Sequence, residues 1–95
     1  MGQACAGMTT YAVFKYPGRF NEPVSIPKGA RILSVGAQGH SLFLWAIVDV
    51  AAPLVNRRID VKATGQQFTQ DPGKYLGMVQ HGNFVWHFFD DGESW

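Results

Sequence analysis

Three histidines, His40, His81 and His87, could contribute to a metal or acid–base site. His40 and His81 lie at or beside two predicted hairpin turns, and they could approach each other if both turns project from the same end of the domain. With a carboxylate such as Asp49 they would offer ligands that suit zinc. The alternative is that the turn histidines are solvated and that His87 packs beside aromatic neighbours with one nitrogen bonded to the backbone. We favour this alternative and predict no metal and no cofactor.

Other reactive residue types lack the surroundings that catalysis needs. Cys5 lies in a leader of small residues without a basic neighbour that would lower the pKa of its thiol. None of Ser25, Ser34 and Ser41 occupies the sharp strand-to-helix turn of a nucleophilic serine. The glycine-containing segment 36–39 belongs to a strand and a hairpin, so it does not form the amide nest that holds a phosphate. We therefore predict that the protein is not an enzyme.

Binding residues are easier to suggest than catalytic ones. Arg57 and Arg58 are adjacent on a predicted strand and point to opposite faces, so one is expected to pair with a carboxylate while the other could meet an anionic ligand. Residues 64–73 form the longest irregular segment, which is either a functional loop or only a connection. The candidate binding residues are the two arginines, the histidines and two residues of this loop: Arg57, Arg58, His40, His81, Gln66, Phe68 and His87.

Composition narrows the class of protein. The chain has 95 residues, enough for one domain, of which 46% are hydrophobic and 14% aromatic. A net charge of +1 with scattered lysines and arginines makes nucleic acid an unlikely partner in our interpretation, because phosphate binding needs a concentrated basic surface. The single cysteine excludes an intrachain disulfide and favours a reducing compartment. With no signal-peptide pattern at its start and no apolar run of membrane-spanning length, the chain is expected to be cytoplasmic, without a membrane partner.

The fold is predicted to be all-β, centred on residues 41–49. From Leu42 to Val48 every side chain is apolar, which is typical of a strand buried on both faces. Gly39 with His40 and Gly82 with Asn83 mark tight hairpin turns. No stretch shows a helical period, so we expect six or seven short antiparallel strands in a small barrel or a two-sheet sandwich.

The domain is predicted to span residues 10–90, between a flexible tail at 1–9 and a C-terminal tail at 91–95. Alternation over 57–64 places Ile59, Val61 and Ala63 inside and Arg58, Asp60, Lys62 and Thr64 outside. The predicted core is Val13, Leu33, Val35, Leu44, Trp45, Ala46, Val48, Ile59, Val61 and Trp86.

The last strand, 84–89, has aromatic side chains on both faces. A domain of this size cannot bury all of these aromatic side chains. One face of the strand is therefore either covered by the tail bearing Trp95 or left open as a binding surface.

Two tryptophan-centred motifs carry a resemblance to a known family: LWAIVD at 44–49 and FVWHFF at 84–89. Shorter matches lie at 15–17, 32–35, 57–58, 64–65 and 75–77. Together, from about residue 13 to residue 89, the chain resembles a family of small uncharacterised proteins encoded in bacteriophages and prophage-bearing bacteria. The resemblance implies a bacteriophage setting and brings no reaction and no catalytic residues.

The function expected from these features is that of a non-enzymatic interaction module. The resemblance suggests a host defence or regulatory protein as the partner that it binds and inhibits. The alternatives are a protein that sequesters a nucleotide or another small molecule, and a structural component of the phage particle. A homodimer formed through the edge at 24–26 or through the last strand is a further expectation.

Overall fold

The computed structural model describes residues 9–18 and 22–94. These residues form seven antiparallel strands and no helix, so the all-β prediction is confirmed. The strands are β1 (Tyr11–Pro17), β2 (Val24–Pro27), β3 (Arg31–Gln38), β4 (Ser41–Asp49), β5 (Leu54–Ala63), β6 (Lys74–His81) and β7 (Phe84–Ser94).

The strands form two sheets that do not close into a barrel, consistent with a two-sheet sandwich. The three-stranded sheet has the order β1-β4-β3, and the four-stranded sheet has the order β2-β5-β7-β6. Two predicted hairpins join β3 to β4 and β6 to β7, and in each the glycine of the turn takes the positive φ that the sequence required: 59° at Gly39 and 65° at Gly82.

Strand β4 lies at the centre of the three-stranded sheet, but only one of its faces is fully buried. Leu42, Leu44, Ala46 and Val48 face the other sheet and form part of the core, whereas the alternate residues are half-buried. Trp45 is one of these, and its ring lies against Gly36 of β3, where a Cβ would come within 3.1 Å of a ring carbon. The prediction that β4 is buried on both faces is therefore wrong, because an apolar outer face can pack on its own sheet and still meet solvent.

The rest of the core agrees in part with the predicted list. Leu44, Ala46, Val48, Ile59 and Val61 are buried, while Val35 and Trp86 are half-buried and pack against the core. Val13 and Leu33 are wrong, being 53% and 49% exposed. Val13 lies on the outer face of an edge strand, and Leu33 lies where a register shift between Ile32 and Ser34 breaks the alternation that placed it inside. The hydrophobic core of the described residues consists of Val24, Ile26, Ala30, Leu42, Leu44, Ala46, Val48, Ile59, Val61, Val79 and Phe88.

Two strands of the four-stranded sheet, the edge strand β2 and the inner strand β7, add to or differ from what the sequence predicted. Residues 24–26 do form an edge strand, and Val24 and Ile26 of this strand are also part of the core. Residues 91–94, expected as a tail, instead continue β7 along β5, from Arg58 opposite Gly92 to Asn56 opposite Ser94. A register shift between Arg58 and Ile59 lets the ladder absorb an extra residue of β7 and run on. Residues 1–8 of the predicted tail at 1–9, which include Cys5, lie outside the described residues, as does Trp95.

Candidate functional site

An aromatic cluster covers part of the outer face of the four-stranded sheet. We define it as Phe68, Tyr75, His87 and Phe89. Tyr75 on β6 meets Phe89 on β7 edge to face, with ring centroids 5.3 Å apart, and lies 5.8 Å from the ring of His87. Phe68, from the loop after β5, packs against Phe89 at 6.5 Å. Tyr75 and Phe68 are each about half exposed, so the cluster presents ring surface to solvent.

His87 is held in the cluster by hydrogen bonds to two hydroxyl groups. Its Nε2 lies 2.7 Å from Oγ1 of Thr64 and its Nδ1 lies 2.9 Å from the hydroxyl of Tyr75. Because Thr64 also donates to the carbonyl of Val85 at 3.4 Å, its oxygen is free to accept from Nε2–H while Nδ1 accepts from Tyr75. The backbone bond predicted for His87 is therefore replaced by side-chain bonds. They fix the orientation of the ring on the sheet.

A charged groove runs beside the aromatic cluster. It has a volume of about 380 Å³ and lies between the outer face of β5 and the loop that follows. We call it the charged groove and define it by its lining residues: Arg58, Asp60, Lys62, Gln67, Phe68, Thr69, Gln70, Asp71 and Asp91. Phe68 belongs to both the groove and the aromatic cluster, so the two features form one continuous surface.

The groove carries charges of both signs. Arg58 is 58% exposed at its side chain, and its Nε lies 3.5 Å from a carboxylate oxygen of Asp91. The ammonium of Lys62 lies 5.1 Å from the centre of the Phe68 ring, a distance at which the ring quadrupole attracts a cation. With Asp60 and Asp71 added, two cations and three carboxylates line the groove.

Arg57, a predicted binding residue, belongs to a partly buried ionic cluster on the opposite face of the sheet. Its Nε and Nη2 donate to the two carboxylate oxygens of Asp90 at 3.1 and 2.5 Å, and its Nη1 donates to the carbonyl of Ala30 at 2.6 Å. Glu93 lies 3.7 Å from Nη1 and accepts from the amide of Gly29 at 2.6 Å. Arg57 therefore joins β5, β7 and the turn after β2, and each of its three guanidinium nitrogens makes a hydrogen bond within the chain.

The same contacts move the pKa of both partners toward the charged state. For Arg57, the hydrogen bonds to Asp90 raise the pKa more than burial lowers it. For Asp90, burial alone would raise the pKa. The hydrogen bonds from Arg57 and Gly92, together with the attraction of Arg57 and Lys74, lower the pKa by more than burial raises it. The pair is ionised across the physiological range.

Acid should weaken the fold through Asp90. Because the pKa of this carboxyl is lower in the folded chain than the unfolded value of about 4, the unfolded chain takes up the proton first as the pH falls. The stability that Asp90 contributes is therefore complete above about pH 5, begins to be lost as the pH falls past the unfolded pKa, and is gone once the pH is below the depressed pKa. We expect the unfolding free energy measured in urea to fall more steeply below about pH 5 for the wild type than for Asp90→Asn. Equal slopes would contradict this assignment.

The remaining predicted site residues are not brought together. His40 is exposed in the β3–β4 turn, while His81 is half-buried at the end of β6 opposite Phe84. Gln66 closes the turn after β5, where its side-chain oxygen accepts from the amide of Ala63 at 3.0 Å. Across residues 9–18 and 22–94, no group of three or more His, Cys, Asp and Glu side chains is placed to hold a metal ion.

Sequence reasoning found three residues of this surface and missed the rest. Of the predicted binding residues, Arg58, Phe68 and His87 lie on it. The alternation over 57–64 already placed Asp60 and Lys62 beside Arg58, which was a usable signal for the groove. Tyr75 carried no comparable signal, because a register shift between Tyr75 and Gly77 determines which face of β6 it occupies.

Comparison with known proteins identifies the family and nothing narrower. No curated protein matches the chain, and no solved structure matches it. The part of the chain that the structure describes contains no helix long and apolar enough to cross a membrane. The model of the DUF7352 family, described as a domain of unknown function, matches residues 9–94. Because this match covers nearly the whole chain, the protein belongs to the DUF7352 family.

Proposed function

We propose that this domain is a non-enzymatic interaction module that binds another protein on the outer face of its four-stranded sheet. The observation that carries the proposal is the continuity of the aromatic cluster with the charged groove. The half-exposed ring of Phe68 lines the same groove as the exposed Arg58, and the half-exposed ring of Tyr75 belongs to the cluster that Phe68 shares. Exposed aromatic and arginine side chains on one surface are enriched where proteins bind proteins.

The charges of the groove favour a polypeptide over a phosphate ligand. Arg58 and Lys62 are matched by three carboxylates, so a nucleotide would meet repulsion as well as attraction. A protein segment with basic and acidic side chains can satisfy both signs, and its apolar side chains can cover the exposed rings. The expected partner therefore presents a mixed-charge segment with at least one apolar anchor.

The biological setting is a further part of the proposal. The resemblance of the two tryptophan motifs to bacteriophage and prophage proteins supports a phage-encoded domain acting in the cytoplasm of the host cell. A host defence or regulatory protein is the partner class that this setting favours. Binding would inhibit the host protein by covering the host protein's functional surface.

Affinity capture from a host lysate tests the binding surface. The double variant Lys62→Ala/Phe68→Ala should reduce capture of the partner by about tenfold or more, because buried aromatic and cationic anchors dominate binding energy. Both residues line the groove, and neither belongs to the buried core. The matched control is Arg31→Ala/Phe84→Ala, which removes an exposed arginine and an exposed phenylalanine elsewhere. Equal capture by both double variants would contradict the proposed surface.

A small-molecule binder remains the second candidate, supported by one observation. The exposed Arg58 lines the same groove as the ring of Phe68, and an aromatic face with an arginine in one groove is suited to stacking a nucleobase. This function predicts that a nucleotide raises the melting temperature of the purified protein by mass action and that Arg58→Ala abolishes the rise. Such a result would place sequestration ahead of protein binding.

A further inference from the structure

Strand β1 has one side of its backbone without a partner among the described residues. It pairs only with β4, at the edge of the three-stranded sheet. At one end of the strand the amide of Gly18 donates to the carbonyl of Leu42, and at the other end the amide of Val50 donates to the carbonyl of Thr10. Both bonds involve even-numbered residues on the β1 side, so the even-numbered residues are the ones that bond to β4. Because hydrogen-bonded pairs alternate along an antiparallel ladder, the N–H and C=O groups of Tyr11, Val13 and Lys15 point away from the sheet.

β1 also lacks the features that protect the other edge strands. β2 has only four residues and ends in a proline, while β3 and β6 each contain a register shift and lie beside each other. β7, considered above as a dimer edge, is paired on both sides by β5 and β6. β1 instead follows β4 over seven residues without a shift, and a regular edge of this kind is a template for another strand.

The side chains of β1 leave apolar surface on both faces. Tyr11 and Val13, on the outer face, are each more than half exposed. Phe14 shares a face with Ala46, which is fully buried, yet Phe14 is 49% exposed. An edge strand with open backbone groups and exposed rings on both sides is the part of this molecule best suited to further pairing.

We propose that β1 pairs antiparallel with β1 of a second copy of this chain, about a twofold axis at Val13. Pro17 has no N–H and ends the ladder, so centring the pair on Val13 gives every outward N–H and C=O of Tyr11, Val13 and Lys15 a partner. The two three-stranded sheets then join into one continuous sheet. This homodimer is independent of the proposed binding surface, which lies on the other sheet.

The residues that this register places opposite one another explain why a second copy fits. Val13 meets Val13 of the second copy, a pair of β-branched side chains. Tyr11 meets Lys15 of the second copy, so the two lysines are not opposed and each can pack along a ring. On the other face Ala12 meets Phe14 of the second copy, which sets a small side chain beside a large one. Each position therefore finds a compatible partner under the twofold axis.

Sedimentation equilibrium of the full chain tests the dimer. The wild type should give twice the chain mass of 10.5 kDa at high concentration. Val13→Pro should give 10.5 kDa, because it removes an outward N–H and leaves the bonds of β1 to β4 in place. Val13→Thr keeps both the branched side chain and the N–H, so this control should remain dimeric.

A second variant covers the case in which Val13→Pro fails to fold. Val13→Lys puts two ammonium groups opposite each other at the axis, at a position that is exposed in the single chain, and it should give a folded monomer by circular dichroism and sedimentation. A wild type that stays monomeric at every concentration would overturn the proposal. A folded Val13→Lys or Val13→Pro variant that remains a dimer would overturn it as well.

Discussion

Replacing Arg57 by alanine is expected to lower the free energy of unfolding by about 3 kcal/mol, the low end of the range for breaking a buried ion pair. The low end applies because the side chains of Arg57 and Asp90 are still 13% and 11% exposed. The variant leaves the carboxylate of Asp90 and the carbonyl of Ala30 without their donor, and it removes the bridge from β5 to β7 and to the turn after β2. Urea unfolding measures the change directly.

The matched control for this experiment is the neighbouring residue. Arg58→Ala removes the same side chain from an exposed position, so its effect should stay within about 0.5 kcal/mol. Equal losses of stability for the two variants would mean that the ionic cluster does not anchor the fold as we describe.

Replacing Phe88 by alanine is expected to cost about 3 to 5 kcal/mol, a large share of the stability of a small domain. Phe88 is fully buried, and its ring lies so close to Gly18 that a Cβ there would come within 2.6 Å of a ring carbon. The ring therefore fills the space between β7 and the end of β1, where the two sheets meet. Thermal and urea unfolding of the variant should both show the loss.

Two controls separate burial from aromatic content. Phe84→Ala on the same strand removes an identical side chain that is 56% exposed, so it should cost less than about 1.5 kcal/mol. Trp45→Ala should also cost less than Phe88→Ala, although the sequence made Trp45 the centre of the fold, because Trp45 is only half-buried on an outer face. Trp45→Ala as the most damaging of the three would contradict the described core.

The inward and outward residues were predicted correctly from the sequence where a strand has one solvent-exposed face. In β5 the alternation correctly separated Ile59 and Val61 from Arg58 and Lys62. Side chains alternate between the two faces of a strand, so the charged residues identify the solvent face and thereby fix which residues point inward. In β4 every residue is apolar, so the pattern could not show that Trp45 lies on an outer face. Hydrophobicity indicates only that burial of a side chain is favourable. Whether the side chain is buried depends on whether a second sheet or a loop packs against that face of the strand.

The candidate site depended on features that a one-dimensional pattern does not contain. Arg57 and Arg58 were correctly expected on opposite faces, with one of them paired to a carboxylate. The identity of that carboxylate was missed, because Asp90 stood at the predicted end of the domain, and only the structure shows that β7 continues past it along β5. The register shifts near Arg58 and Tyr75 set which side chains share the outer face, and such shifts follow from tertiary packing.

Hydrogen–deuterium exchange of the purified protein, alone and with its captured partner, tests the central claim most directly. Binding along the charged groove and the aromatic cluster should slow exchange in residues 66–71, whose loop forms one wall of the groove, and leave residues 41–49 of the three-stranded sheet unchanged. Protection confined to the three-stranded sheet, with the 66–71 loop exchanging at its free rate, would show that the partner binds elsewhere and would contradict the proposed function of this surface.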